Sequence, residues 1–196
     1  MTITDSFINF RKHHRSTIME IEQLKLPIGT YIAPEEISFL QIEKWITTIE
    51  CFPRSLIDLV GELTKEELNW KYRPEGWTIK QVVHHCADSH INSLMRFKLA
   101  LTEDLPSIRV YHEERWAELT DSQSDDIQDS LTLLKGLHGK WVYLLRSLCE
   151  EELEREYIHP QHHKILSIKE TIGNYAWHCE HHLAHIKQAI DHQGIF

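Results

Sequence analysis

Four segments of about twenty residues repeat apolar side chains every three or four positions, and none sustains the every-second-residue alternation of a half-buried strand. A chain of 196 residues with that pattern is restricted to packing helix on helix. The first segment, 36–62, places Ile42, Trp45, Ile46, Ile49 and Phe52 on one face and Leu56, Leu59 and Val60 beyond Pro53. A proline there removes a backbone donor and crowds the preceding turn, so the segment is expected to kink or split. The second starts at Thr78, which forms a capping box with Gln81, and runs to about Thr102. The third spans roughly 125–149, with Ile127, Leu131, Leu134, Leu137, Trp141, Leu144, Leu145 and Leu148 inward. The fourth opens on a second capping box, Ser167 with Glu170, and closes at Gly194, suited to a left-handed cap. Between the second and third lies EDLPSIRVYHEERWAELTDSQS, a long connection with room for one short helix near 113–118. The pattern predicts an all-α four-helix bundle over residues 27–196. Residues 1–26 form an N-terminal extension, expected to be disordered or peripheral, with a short helix packing on the bundle as the alternative.

Charge and cysteine usage narrow the partners. The net charge is −9, and the one basic cluster is RKHHR at 11–15. Nucleic-acid binding requires a basic face that displaces counterions, so no nucleic acid is expected. No apolar run reaches the roughly 18 residues needed to cross a bilayer, and the polar start lacks the apolar stretch of a signal peptide. No membrane partner and a cytoplasmic location are therefore expected. Cys51, Cys86, Cys149 and Cys179 form no C-x-x-C pair, which fits reduced thiols.

The histidines are the chemical signal. WHCEHHLAHI, from Trp177 to Ile186, carries His178, His181, His182 and His185 on two helical turns. Advancing about 100° per residue, Ile172, Tyr175, Ala176, Cys179, Leu183, Ile186 and Ile190 define a core arc. His178 and His182 lie on its shoulder, while His181 and His185 drift toward solvent. Their i, i+4 separation lets His178 and His182 reach one metal ion. The same pattern arises in any His-rich helix, where a buried imidazole often serves as a hydrogen-bonded core residue. A third donor is available in VVHHCADSH: His85 heads a stripe with Ser89, Asn92 and Arg96 beside an apolar arc, as a pocket wall requires, whereas His84 falls on the flank with Lys80 and Asp88 and suits solvent.

The runs GWTIKQVVHHCADSHINSLMRFKLALTED, LHGKWVYLLRSL and NYAWHCEHHLAHI resemble the DinB/YfiT-like family of metal-dependent proteins, and within it the YfiT branch, over about residues 27–190. The resemblance implies a four-helix bundle, a homodimer, and one divalent ion per chain, zinc or nickel, held by His85, His178 and His182. A symmetric partner would also cover Ile37, Phe39 and Leu40, which fall outside the first helix's inward arc. Residues 1–18 have no counterpart in the family, and the loop IHPQHHKILS carries His162 and His163, read as solvent-exposed imidazoles with the alternative that one reaches the site.

Three histidines leave a fourth metal position for water or a small-molecule substrate. Three functions use it. In a metal-dependent hydrolase, the reading that the branch's usual description implies, the ion activates water, and Asp88, Glu180 or His181 would assist, although none has the HExxH spacing. In a low-molecular-weight-thiol S-transferase of the bacillithiol type, the ion presents a thiolate, and Arg96 and Asn92 anchor an acidic thiol. In a binding or stress-response module, the ion is a scaffold without turnover. The blander roles, Arg96 in a surface salt bridge and Asp88 as a solvated carboxylate, stand beside these.

Overall fold

The computed structural model describes residues 21–161 and 163–196. Its long helices are α1 (Phe39–Val60), α3 (Ile79–Thr102), α5 (Gln128–Arg146) and α7 (Ile168–Asp191). Short helices α2 (Lys65–Leu68), α4 (Glu113–Trp116) and α6 (Glu150–Leu153) sit in the three connections. Among the long helices, α1 packs on α7 and α5, and α3 packs on the same two. The first two long helices of the chain therefore face each other across the bundle instead of lying side by side, which the α2-containing connection permits. The core between them is apolar, with Ile49, Leu56, Val83, Leu134, Trp141, Ile172 and Ile186 fully buried.

Local chemistry sets the helix starts. Ser38 accepts from the Gln41 amide to open α1 at 3.2 Å. Both anticipated capping boxes form: the Thr78 amide donates to Gln81 Oε1 at 3.0 Å, and the Ser167 amide to Glu170 Oε2 at 2.9 Å. Beyond α7 the left-handed cap position falls on Gln193 (φ 51°), and Gly194, also left-handed at a φ of 68°, donates its amide back to the Ala189 carbonyl at 3.0 Å. Gly173 lets α1 approach α7, since a Cβ there would collide with the Tyr31 hydroxyl and the Trp45 ring.

Two expectations need correction. Pro53 does not split α1, which runs through it unbroken with Pro53 buried. The Ile49 carbonyl, whose helical donor would be the missing Pro53 N–H, is met instead by Nδ1 of His138 on α5 at 2.6 Å. The stretch read as the loop IHPQHHKILS is an antiparallel hairpin, β1 (Glu156–His159) with β2 (Lys164–Ser167), paired from Glu156↔Ser167 to His159↔Lys164. The Ile108 amide donates to the Ile158 carbonyl at 3.0 Å and the Ile158 amide to the Pro106 carbonyl at 2.9 Å, which fastens the long α3–α5 connection to the hairpin. Strands of four residues are too short to carry a period-two signal.

Residues 1–20 lie outside the described residues, so the reading of 1–18 as unmatched extension falls there. Residues 21–25 are helical and dock on α7: Gln188 Nε2 donates to the Leu24 carbonyl and His185 Nε2 to the Lys25 carbonyl, both at 3.0 Å. No helix among the described residues is long and apolar enough to cross a membrane.

Candidate metal centre

His85 stands in the second turn of α3, and His178 and His182 project from one face of α7 a turn apart. The packing of α3 on α7 brings the three rings together. One ring nitrogen from each lies within 4.8 Å of the others. Nε2 of His178 and Nε2 of His182 are 3.2 Å apart. Donors set tetrahedrally around a zinc-sized ion at 2.0–2.1 Å are about 3.3 Å from one another, so this spacing fits a shared ion. His85 and His182 are buried and His178 half-buried. Burial, reinforced by the nearby imidazole of His181, lowers the pKa of His85 to about 4. Burial first, and then the neighbouring histidines, hold His178 and His182 well below the ordinary imidazole value. Neutral imidazole is the form that donates a lone pair to a metal, so the donor set suits a divalent ion.

The expectation that His181 and His185 drift toward solvent needs correction. His181 and His185 are buried, not turned to solvent. His181 stacks on Trp177 at 4.4 Å, and His185 stacks on Tyr72 at 3.8 Å while donating to Lys25. The N-terminal segment and the α2–α3 connection cover that side of α7, which a single-helix projection cannot include. His84 is likewise buried, with Nδ1 2.8 Å from Ser130 Oγ and Nε2 3.1 Å from the Ser124 carbonyl.

Beside the triad lies a cavity of about 220 Å³ lined by Ser89, Arg96, Tyr111, Glu113, Tyr175 and His178 among others. Ser89 Oγ is 3.4 Å from both the Tyr175 hydroxyl and Nε2 of His178, and Arg96 Nη1 donates to the Tyr175 hydroxyl at 3.5 Å. Arg96 Nε is buried with no hydrogen-bond partner. The Glu113 carboxyl is raised by loss of solvent and by Glu114, with Arg96 opposing the shift. Of the other helpers anticipated from sequence, Arg96 lines this cavity, and His181 stays beside the triad at 5.2 Å ring to ring from His182. Asn92 turns its amide back to the Asp88 carbonyl of its own helix at 2.8 Å. Asp88 lines a separate cleft with His84, Asp121, Asp126 and Asp129, and the structure does not bring it to the triad. His163 is exposed, and His162 lies outside the described residues.

Sequence reasoning missed Glu113, which sits on a short helix inside the long connection, and missed His90 and His138. His90 is fully buried, with Nδ1 2.7 Å from Nε2 of His138 and Nε2 3.1 Å from Nδ1 of His178. The available signal was a histidine in an apolar stripe: His138 shares the face of Leu134, Trp141 and Leu145.

A model of the DinB superfamily matches residues 49–186. The chain is 46% identical over 171 residues to a Bacillus subtilis protein named "Putative metal-dependent hydrolase YfiT", covering 87% of this chain and 96% of that one. It is 48% identical over 162 residues to "Putative metal-dependent hydrolase OB0782" of Oceanobacillus iheyensis, covering 83% and 93%. The solved structure of Bacillus subtilis YfiT, described as having "an unusual four-helix bundle topology", superposes with a TM-score of 0.85 at 45% identity, covering 88% of this chain and 98% of that one.

Proposed function

Because the chain belongs to the DinB superfamily and pairs its three-histidine cluster with a polar cavity, we propose that it is a metal-dependent hydrolase whose ion is held by His85, His178 and His182. The observation that carries this reading is the convergence of three neutral imidazoles, one of which, His178, lines a cavity that also holds a carboxyl and a guanidinium. A zinc or nickel ion held by His85, His178 and His182 would supply Lewis acidity toward a substrate carbonyl and toward water. Glu113 is the group that takes the proton from attacking water and returns it to the leaving atom, and its raised pKa suits both halves of that exchange. Arg96 and the Tyr175 hydroxyl donate to the negative charge that builds on the substrate oxygen. Metal-loaded protein should turn over an ester or amide, and Glu113→Gln should lower kcat by about 10²–10⁴-fold with the metal retained. A loaded protein that hydrolyses no member of a broad ester and amide panel ends this reading.

The unpartnered Arg96 Nε favours a second reading, transfer of an acidic low-molecular-weight thiol, because a buried cationic donor is suited to a carboxylate on the substrate. Thiol addition to cobalt-substituted protein would then produce a sulfur-to-metal charge-transfer band, which hydrolysis does not require. Phe39 and Leu40 are exposed on α1, in keeping with a homodimer that covers them, and a light-scattering mass near that of the 23.2 kDa monomer would exclude it.

A further inference from the structure

From His178 a line of hydrogen bonds runs away from the cavity, through the middle of the bundle, to a backbone carbonyl on α1. Nδ1 of His178 faces Nε2 of His90 at 3.1 Å, Nδ1 of His90 faces Nε2 of His138 at 2.7 Å, and Nδ1 of His138 faces the Ile49 carbonyl at 2.6 Å. A carbonyl oxygen only accepts, so His138 must carry its proton on Nδ1. Each contact between two ring nitrogens needs one N–H and one lone pair. His138 therefore accepts at Nε2, His90 donates from Nδ1 and accepts at Nε2, and His178 donates from Nδ1. One neutral tautomer per ring satisfies all three contacts, and it leaves Nε2 of His178 as a bare lone pair beside Nε2 of His182.

The order starts from Pro53. An ordinary residue at 53 would give its N–H to the Ile49 carbonyl inside α1, and proline has none to give. That frees the acceptor on which His138 depends. A proline in the middle of a helix removes one of its hydrogen bonds, and here the helix runs on without interruption and the proline is buried.

We propose that Pro53, His138 and His90 are positioning residues that fix the tautomer and orientation of His178, so that its Nε2 lone pair faces the metal position. This rests on the reading that the triad holds a metal, and it adds residues on two further helices to that site. All four long helices then take part: α7 and α3 supply the donors, α3 and α5 the intervening rings, and α1 the terminal acceptor. Partners of this kind commonly change metal affinity 10–100-fold when removed.

Long-range proton–nitrogen NMR on the metal-free protein reads each ring's tautomer directly, and His138, His90 and His178 should all be protonated at Nδ1. A competition titration with a chromophoric chelator then reads zinc affinity. His90→Leu should lose about 10–100-fold. His90→Gln should restore most of that loss, because its amide can accept from His178 and donate to His138 as the imidazole does. Pro53→Ala restores an N–H opposite Ile49. It should lower affinity about tenfold and disperse the His138 tautomer while the helix content seen by circular dichroism stays unchanged. A merely structural role for these residues would move thermal stability but not the tautomers. An Nε2–H form at His138 or His90 in the wild type, or a folded His90→Leu variant with wild-type affinity, overturns the proposal. A wild-type protein with the stated tautomers that binds no zinc would sink the metal reading of the triad instead, so the two failures are distinguishable.

Discussion

His84 and His85 are neighbours on α3, equally buried, and face opposite ways. One side of the helix looks onto a cleft where His84 is tied to Ser130 and to the Ser124 carbonyl and where Asp88 meets Asp121. The other looks onto the imidazoles of α7, with the rings of His178 and His182 at 5.5 and 4.8 Å from that of His85. Burial alone therefore does not mark a functional histidine. What separates the two is the partner: His84 spends both nitrogens on fixed protein groups, whereas His85 shares a point with two other lone-pair donors.

The largest expected effect tests that difference directly. His85→Ala and His182→Ala each remove one of three donors and should abolish tight zinc binding, while His84→Ala should bind zinc as the wild type does. His185→Ala belongs with His84, because its Nε2 is committed to the Lys25 carbonyl. Elemental analysis of the untagged proteins after gel filtration decides it, and equal metal loss in His84→Ala and His85→Ala would erase the distinction between the two sides.

Acid should be felt next, on the side that carries the line of histidines. Burial lowers the pKa of His138 to about 4, with its bond to the Ile49 carbonyl opposing the shift. A depressed imidazole pKa means that the unfolded chain takes up the proton first, so its cost is absent above pH 6.5, grows as pH falls, and is complete below the folded pKa. Over that window the difference amounts to about 3 kcal/mol. Denaturant midpoints of wild type and His138→Gln measured from pH 7 to 4 should diverge, the wild type falling more steeply. Parallel curves would mean that His138 is not held neutral in the fold.

A smaller loss is expected at His84. His84→Ala strands the Ser130 hydroxyl and the Ser124 carbonyl in a part-buried place and should cost about 1–3 kcal/mol in urea unfolding, with metal affinity untouched. A stability change without a metal change, beside a metal change at His85, is the signature of the two roles.

The parts of this arrangement that one helix can encode were legible in the sequence. Apolar periodicity and two capping boxes set the long helices, and the i, i+4 spacing of His178 and His182 with the Ser89–Arg96 stripe below His85 pointed to three rings that the fold does bring together. What lies between helices was not legible. The burial of His185 and His84 depends on Lys25, Tyr72 and Ser124, which come from other segments, so a projection of one helix sends those imidazoles wrongly to solvent. Propensity alone predicts a kink or a split at Pro53, and the tertiary partner that meets the carbonyl left without its donor sits 85 positions along the chain, at His138. Glu113 reaches the cavity only because the hairpin and the α3–α5 connection pack together, through strands too short to announce themselves.

The smallest expected effect concerns Asp88, which sequence reasoning offered as a helper for catalysis and which the fold places on the His84 side. Loss of solvent raises its carboxyl to about 6, and the nearby Asp121 adds to the shift. A raised carboxyl pKa has the opposite sign to the buried imidazole: the folded chain holds this proton more tightly, so the penalty for the charged form is absent below the unfolded value and complete above about 6. At pH 7 the protein carries that penalty in full. Asp88→Asn removes the charge while keeping the shape, and should therefore stabilise the protein at pH 7, by less than about 1 kcal/mol because the residue is only part-buried and water screens it. The gain should vanish near pH 4. Zinc affinity and any ester or amide turnover should be unchanged, since the side chain points away from the triad. A variant that keeps its zinc and loses turnover would restore Asp88 as a catalytic group and would mean that the two sides of α3 are coupled.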